Sequence, residues 1–165
     1  GFPSNTQPHG SYLRPVNPIS ATLGMTNASF VAQTADWIPS HLFETLKAGY
    51  HHEGFAFVRI LQRCPIWTAK LFEEAVRTPD KTEFLVHGKG FWATSPDEIY
   101  KRTVYHDPAD LDMARWLAEP SERIRLGIYY RNEEIPDYEE IRRLPAHASQ
   151  EIVKALEDEL DRFAV

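Results

Sequence analysis

Two apolar stretches, Ala28-Ser-Phe-Val-Ala-Gln33 and Phe55-Ala-Phe-Val-Arg-Ile-Leu61, decide the fold of this chain. Both are short and rich in β-branched and aromatic residues, which is typical of buried strands. Between them, Pro39 to Glu53 has apolar residues at helical spacing and is followed by Gly54, so it predicts a helix. Strand, helix and strand at this spacing predict a βαβ unit within a parallel sheet. The expected fold class is therefore α/β.

The predicted helix carries an apolar stripe of the kind that faces a core. Leu42, Leu46 and Tyr50 recur at helical spacing, and Phe43 widens the stripe. The second strand is almost continuously apolar, which predicts a strand that is covered on both faces.

The remaining predicted elements are short and are separated by prolines. In chain order they are a helix over Asn17–Gly24 capped by Asn17, a helix over Thr68–Val76, a strand over Thr82–His87, a brief helix from Ser95, a helix from Pro108 capped by Asp107, a strand over Ile124–Tyr130 and a helix over Ser149–Phe163.

Composition narrows the function classes. The chain has 165 residues, 42% of them hydrophobic, and a net charge of -6, which argues against nucleic acid as a partner. No apolar run approaches the ~20 residues that cross a bilayer, so no membrane segment is expected. A single cysteine fits a reducing compartment, and we expect a cytoplasmic protein.

That cysteine, Cys64, follows the second strand directly before Pro65, which stops strand pairing. Ligands of open α/β sheets bind at the carboxyl ends of the strands, where we expect this thiol. An intrachain disulfide is excluded because there is no second cysteine. From position alone, three roles remain: a nucleophile, a metal or cluster ligand shared with other protein, and an inert thiol.

Other chemical motifs are weak. No glycine-rich dinucleotide or nucleotide motif, zinc-protease motif or hydrolase elbow is present. His51-His-Glu53 resembles a metal cluster, but adjacent helical residues point in different directions, so we interpret it as a solvated helix end. His106-Asp107 could orient an imidazole, although we expect Asp107 to cap a helix. No catalytic residue is assigned.

Several motifs together resemble the β subunit of 2-oxoacid:ferredoxin oxidoreductases. They are Asn17-Pro18, Ala28-Ser-Phe-Val-Ala32, His41-Leu42, His52-Glu-Gly-Phe-Ala-Phe-Val58 and Gln62-Arg-Cys-Pro65. The later part resembles a bacterial branch linked to 2-oxoglutarate, through Glu98-Ile-Tyr-Lys101, His106-Asp-Pro108, Ala114-Arg115, Leu126-Gly-Ile-Tyr-Tyr130 and Ile135-Pro-Asp-Tyr-Glu139. The most specific of these pieces is Gln62-Arg-Cys-Pro65.

The resemblance implies an oxidoreductase that decarboxylates a 2-oxoacid, most simply 2-oxoglutarate, and forms an acyl-coenzyme A. Family β subunits bind thiamine diphosphate, Mg²⁺ and a [4Fe–4S] cluster, and electrons pass to ferredoxin. The family cysteine that matches Cys64 is a cluster ligand. A loop that follows the cofactor motif is similar to the segment of Gly1, Ser4 and Thr6, which would then contact thiamine diphosphate.

The chain also departs from the family pattern. The other cluster cysteines and the Gly-Asp-Gly to Asn cofactor motif are absent. We therefore expect roughly the C-terminal half of a subunit, inactive without its N-terminal half and the α subunit. Residues 1–78 would be the end of the thiamine diphosphate domain, and residues 79–165 a helix-containing extension that packs on it or on a partner. The alternative is a non-catalytic interaction module in which Cys64 is inert.

Overall fold

The structure is a computed structural model that describes residues 3, 7–10, 12–66, 70–88, 100–138 and 149–162. The chain forms two compact units, Gly1–Ile135 and Pro136–Val165. The sequence placed a division after residue 78, whereas the sheet of the first unit combines strands from both sides of that position.

Five helices and five strands lie within the described residues. In chain order they are α1 (Pro18–Leu23), β1 (Phe30–Ala35), α2 (Pro39–Tyr50), β2 (Ala56–Leu61), α3 (Glu73–Arg77), a 3₁₀ turn (Pro79–Lys81), β3 (Thr82–Val86), β4 (Thr103–Tyr105), α4 (Leu111–Ala118), β5 (Ile124–Arg131) and α5 (Ser149–Asp161). The predicted Ser95 helix lies outside the described residues. No helix of the described part of the chain is long and apolar enough to cross a membrane.

The sheet has the order β2-β1-β5-β3-β4. β1 and β2 are parallel and are joined through α2, which confirms the predicted βαβ unit. β5 runs antiparallel to β1 and parallel to β3, and β3 is parallel to β4. The sheet is therefore mixed rather than wholly parallel. As a consequence, the carboxyl ends of β1 and β2 lie at one edge and those of β3, β4 and β5 at the opposite edge.

Helix starts follow local capping. The Asn17 carboxamide oxygen accepts from Ile19 N at 3.1 Å, and its amide nitrogen donates to Ala118 O at 2.7 Å, which ties α1 to the end of α4. The predicted cap of α4 was wrong. Asp110 accepts from Met113 N at 2.9 Å and begins the helix, whereas Asp107 stabilises the preceding turn.

Helix α2 packs against the sheet through the side opposite its apolar stripe. His41 and Thr45 are fully buried, while Leu46 is 44% and Tyr50 85% exposed. Burial of His41 is possible because the Thr34 and Thr45 hydroxyls lie 2.7 and 3.1 Å from its Nδ1 atom. The expectation that the stripe faces the sheet was wrong.

Strand β2 is an edge strand in the described part of the sheet, where it pairs with β1 alone. Its residues are mostly half-buried, and Ile60 is 45% exposed. The prediction that both faces are covered was therefore wrong for these residues. One face packs against α2, since a Cβ at Gly49 would lie 3.2 Å from Val58 Cγ2.

Candidate functional site

Cys64 lies beyond the end of β2 at Leu61, at the edge where β1 also ends. Its side chain is partly exposed. The structure thus places the thiol at the carboxyl edge of the parallel pair, as the sequence predicted. A partly exposed thiol at this position is open to a ligand or reagent.

Contacts from β1 hold the segment that carries Cys64. Asp36 N donates to Leu61 O at 3.0 Å. The Asp36 carboxylate accepts from Arg63 N at 3.1 Å and from Arg63 Nε at 3.0 Å. The residue directly before Cys64 is therefore fixed through both its backbone and its side chain.

Charged side chains of both signs lie beside this segment. A cavity of about 350 Å³ beside it is lined by Arg63, Lys70, Arg77, Val76 and Glu73. Arg77 and Glu73 form an ion pair at 2.7 Å, and Arg63 is paired with Asp36. The residues that line this cavity thus include three cations and one carboxylate.

The described residues do not form a complete metal site. No group of three or more His, Cys, Asp or Glu side chains among them could hold a metal ion. A [4Fe–4S] cluster needs four thiolates, of which this chain can supply only Cys64. The predicted thiamine diphosphate contacts Gly1, Ser4 and Thr6 lie outside the described residues.

The His51-His-Glu53 segment has a structural role at His52. His52 Nε2 lies 2.9 Å from Ser29 Oγ, and that hydroxyl donates to Phe55 O at 3.1 Å. The hydroxyl proton is thus committed to Phe55, so His52 must donate to Ser29 rather than activate it. Burial lowers the pKa of His52. The pair fixes the entry to β2.

His106 lies at the other edge of the sheet. Its Nε2 atom donates to Ile128 O at 2.9 Å, and its ring is 6.4 Å from that of His87, centroid to centroid. Both rings border a cleft of about 610 Å³, and burial lowers the pKa of each. Sequence reasoning missed His87 as a site residue, although its position at the end of a predicted strand was a usable signal. These histidines are not brought together with Cys64.

No family model matches the chain. It is 32% identical to "2-oxoacid:ferredoxin oxidoreductase 2, subunit beta" of Aeropyrum pernix, over 76% of this chain and 38% of that protein. It is 29% identical to the corresponding subunit beta of Sulfolobus sp, with the same coverage of 76% and 38%. The chain is also 40% identical to "2-oxoglutarate oxidoreductase subunit KorB" of Mycobacterium tuberculosis, over 44% of this chain and 19% of that protein.

A solved structure shares the fold. It is the 2-oxoglutarate:ferredoxin oxidoreductase of Magnetococcus marinus, with a TM-score of 0.60 and 24% identity. The match covers 93% of this chain and 49% of that one. The chain thus spans less than half the length of the relatives it matches. The resemblance predicted from the sequence is confirmed: this chain is related to the β subunits of 2-oxoacid:ferredoxin oxidoreductases.

Proposed function

We propose that this chain is part of the β subunit of a 2-oxoacid:ferredoxin oxidoreductase, in which Cys64 is one ligand of a [4Fe–4S] cluster. The observation that carries the proposal is the similarity to such subunits over about three quarters of the chain. The position of Cys64, held by Asp36 at a strand end, supports the ligand role.

The chain's own contribution is to position one thiolate. Arg63, Lys70 and Arg77 place cationic groups around the segment, and an iron–sulfur cluster with thiolate ligands is anionic. Three further thiolates, and the residues that bind thiamine diphosphate and Mg²⁺, must come from outside the described residues. The described residues alone do not fit either group, and we assign no reaction step to them.

The exposed stripe of α2 supports assembly with further protein. Phe43 is 65% exposed, and Leu46 and Tyr50 lie on the same side of the helix. Apolar side chains that cluster on a surface are typical of an interface. We propose that this face packs against the rest of the β subunit or the α subunit.

The proposed reaction is the oxidative decarboxylation of a 2-oxoacid, with coenzyme A as acyl acceptor and ferredoxin as electron acceptor. The names of the relatives support 2-oxoacid and ferredoxin chemistry. The names of the Mycobacterium tuberculosis and Magnetococcus marinus proteins include 2-oxoglutarate, and we therefore propose 2-oxoglutarate as the substrate. We place the enzyme in the cytoplasm.

The test is expression of the chain with and without the products of the neighbouring reading frames. The purified samples are analysed for iron, acid-labile sulfide and thiamine diphosphate, and for 2-oxoglutarate-dependent reduction of ferredoxin. We expect all of these in the complex and none in the chain alone. A stable complex without iron and cofactor would instead support a non-catalytic interaction module with an inert Cys64.

A further inference from the structure

Arg59 is a half-buried cation in the middle of β2. It belongs to the strand face that is opposite to α2, as do its neighbours two residues away, Phe57 and Leu61. No hydrogen bond or ion pair joins its guanidinium to another described residue. Burial lowers the pKa of Arg59. A desolvated charge without a counter-charge is unfavourable, so this position calls for an anion.

Gln33 lies beside Arg59 on the neighbouring strand, because the two residues are partners in the register of β1 and β2. Its side chain is 6% exposed. The amide nitrogen donates to Arg125 O at 2.8 Å, whereas the buried Oε1 atom has no hydrogen-bond partner among the described residues. A buried acceptor of this kind requires an N–H or O–H donor.

Both side chains border one cavity of about 190 Å³, together with Tyr129, Arg123 and Arg125. The Tyr129 hydroxyl donates to Arg125 O at 3.0 Å and so is not available as that donor. The volume is below the ~300–1,000 Å³ of pockets that hold drug-sized ligands, so the occupant must be small.

The charge of the cavity favours an anion. Arg123 and Arg125 share a single carboxylate, Glu83, at 3.5 and 3.4 Å. Glu119 is the one acidic residue among the described residues that line the cavity, and it is exposed. Among the described residues, three guanidinium groups therefore face two carboxylates, and Arg59 is the one left without an ion pair.

We propose that this cavity binds a small organic acid, whose carboxylate pairs with Arg59 and whose hydroxyl donates to Gln33 Oε1. The site is built on the face of the sheet and uses neither Cys64 nor any cofactor. It is therefore independent of the function proposed above.

Two probes of nearly the same size test the proposal. Lactate carries the carboxylate and a hydroxyl, whereas propionate lacks the hydroxyl. Calorimetric titration of the 165-residue chain should show saturable binding of both, with lactate about tenfold tighter, since a hydrogen bond to a buried acceptor adds roughly this much.

Variants separate the two contacts. Arg59→Gln should weaken the binding of both probes at least about tenfold, because a charge-assisted pair is lost. Gln33→Met should reduce the affinity for lactate to that for propionate and leave the affinity for propionate unchanged. Arg115→Gln is the control, since it removes the same charge from an exposed ion pair on α4.

Equal binding in Arg59→Gln and Arg115→Gln would overturn the proposal, as would no saturable binding to the wild-type chain. The same titration on the co-expressed complex provides the remaining test. Loss of lactate binding there would also overturn it and would assign Arg59 to a carboxylate of the rest of the subunit. Thermal unfolding of each variant checks that the fold is retained.

Discussion

Asp36 and Arg63 connect the ends of the two parallel strands, with Asp36 Oδ1 3.0 Å from Arg63 Nε and Asp36 Oδ2 3.1 Å from Arg63 N. The side chains are 27% and 50% exposed, so solvent screens the ion pair and its stabilisation is small. Its main effect is on position, because Cys64 follows Arg63 directly.

Removal of this contact should loosen the cysteine segment more than it destabilises the fold. Asp36→Ala is expected to lower the free energy of unfolding by about 1 kcal/mol or less and to raise the rate of Cys64 alkylation about threefold or more. Urea unfolding and iodoacetamide labelling measure the two effects. Asp112→Ala, which breaks the exposed pair with Arg115, is the control. Equal labelling rates in the two variants would show that Asp36 does not hold the segment.

Cys64→Ser tests the ligand role in the assembled enzyme. The substitution changes one partly exposed atom, so the fold and the association with partner subunits should remain. The cluster should be lost, because serine oxygen is a poor substitute for a thiolate ligand. Iron content, the visible absorption of the cluster and electron transfer to ferredoxin are the measurements. Full iron content with normal electron transfer would rule out a ligand role.

The β1-α2-β2 unit could be predicted from the sequence because its signals are local. Apolar runs of strand length and a helical period each act over a few neighbours. The position of Cys64 followed from the same unit. The relatives confirm the resemblance that the Gln62-Arg-Cys-Pro65 segment suggested.

The sequence did not predict the mixed sheet or the orientation of α2, because both depend on distant residues. β5 inserts between β1 and β3, and no local pattern gives its direction. The α2 stripe was assumed to face the sheet, yet His41 faces it because the Thr34 hydroxyl is available there. The Arg59 site was missed because it arises from the register of β1 and β2.

A charged substitution in the α2 stripe should weaken the association with other subunits and leave the stability of the chain's own fold nearly unchanged. Leu46 is 44% exposed, so Leu46→Glu should change the free energy of unfolding by less than about 1 kcal/mol. Association with the co-expressed subunits should weaken at least about tenfold if the stripe is covered by protein. Lys47→Gln makes the same change in charge on the exposed side of α2 and is the control. Normal co-purification of Leu46→Glu would place the interface elsewhere.

Stability should fall in mild acid because of His41. Burial lowers its pKa from 6.5 to about 3 in the folded chain, so the unfolded chain takes up the proton first as the pH falls. The contribution of neutral His41 to the free energy of unfolding is present in full above the pKa of the unfolded chain. It is lost progressively as the pH falls from 6.5 to about 3. Each pH unit in that window costs about 1.4 kcal/mol. His52, His87 and His106, whose pKa values are also lowered, act in the same direction.

His41→Asn tests this assignment, because asparagine keeps a polar group near Thr34 without a titratable proton. Between about pH 7.5 and pH 5, the variant should lose about 2 kcal/mol less stability than the wild type. Urea unfolding at the two pH values measures the difference. His51→Asn, which changes an exposed histidine of the same region, is the control. An unchanged slope in His41→Asn would show that His41 is not the group that titrates.

A substitution at Gly127 tests whether β5 lies between β1 and β3. Its φ angle is 133°, and a Cβ there would lie 2.9 Å from both the Cβ and the carbonyl oxygen of Leu85 on β3. Gly127→Ala combines backbone strain with overlap in the core, so it should lower the free energy of unfolding by about 2–4 kcal/mol. Gly88→Ala is the matched control, since a Cβ at Gly88 meets nothing within 4 Å and its cost should stay below about 0.5 kcal/mol. Urea midpoints of the two variants give the comparison. Equal midpoints would mean that β5 does not pass Leu85 as closely as the structure has it, and the strand order at the centre of the sheet would then need revision.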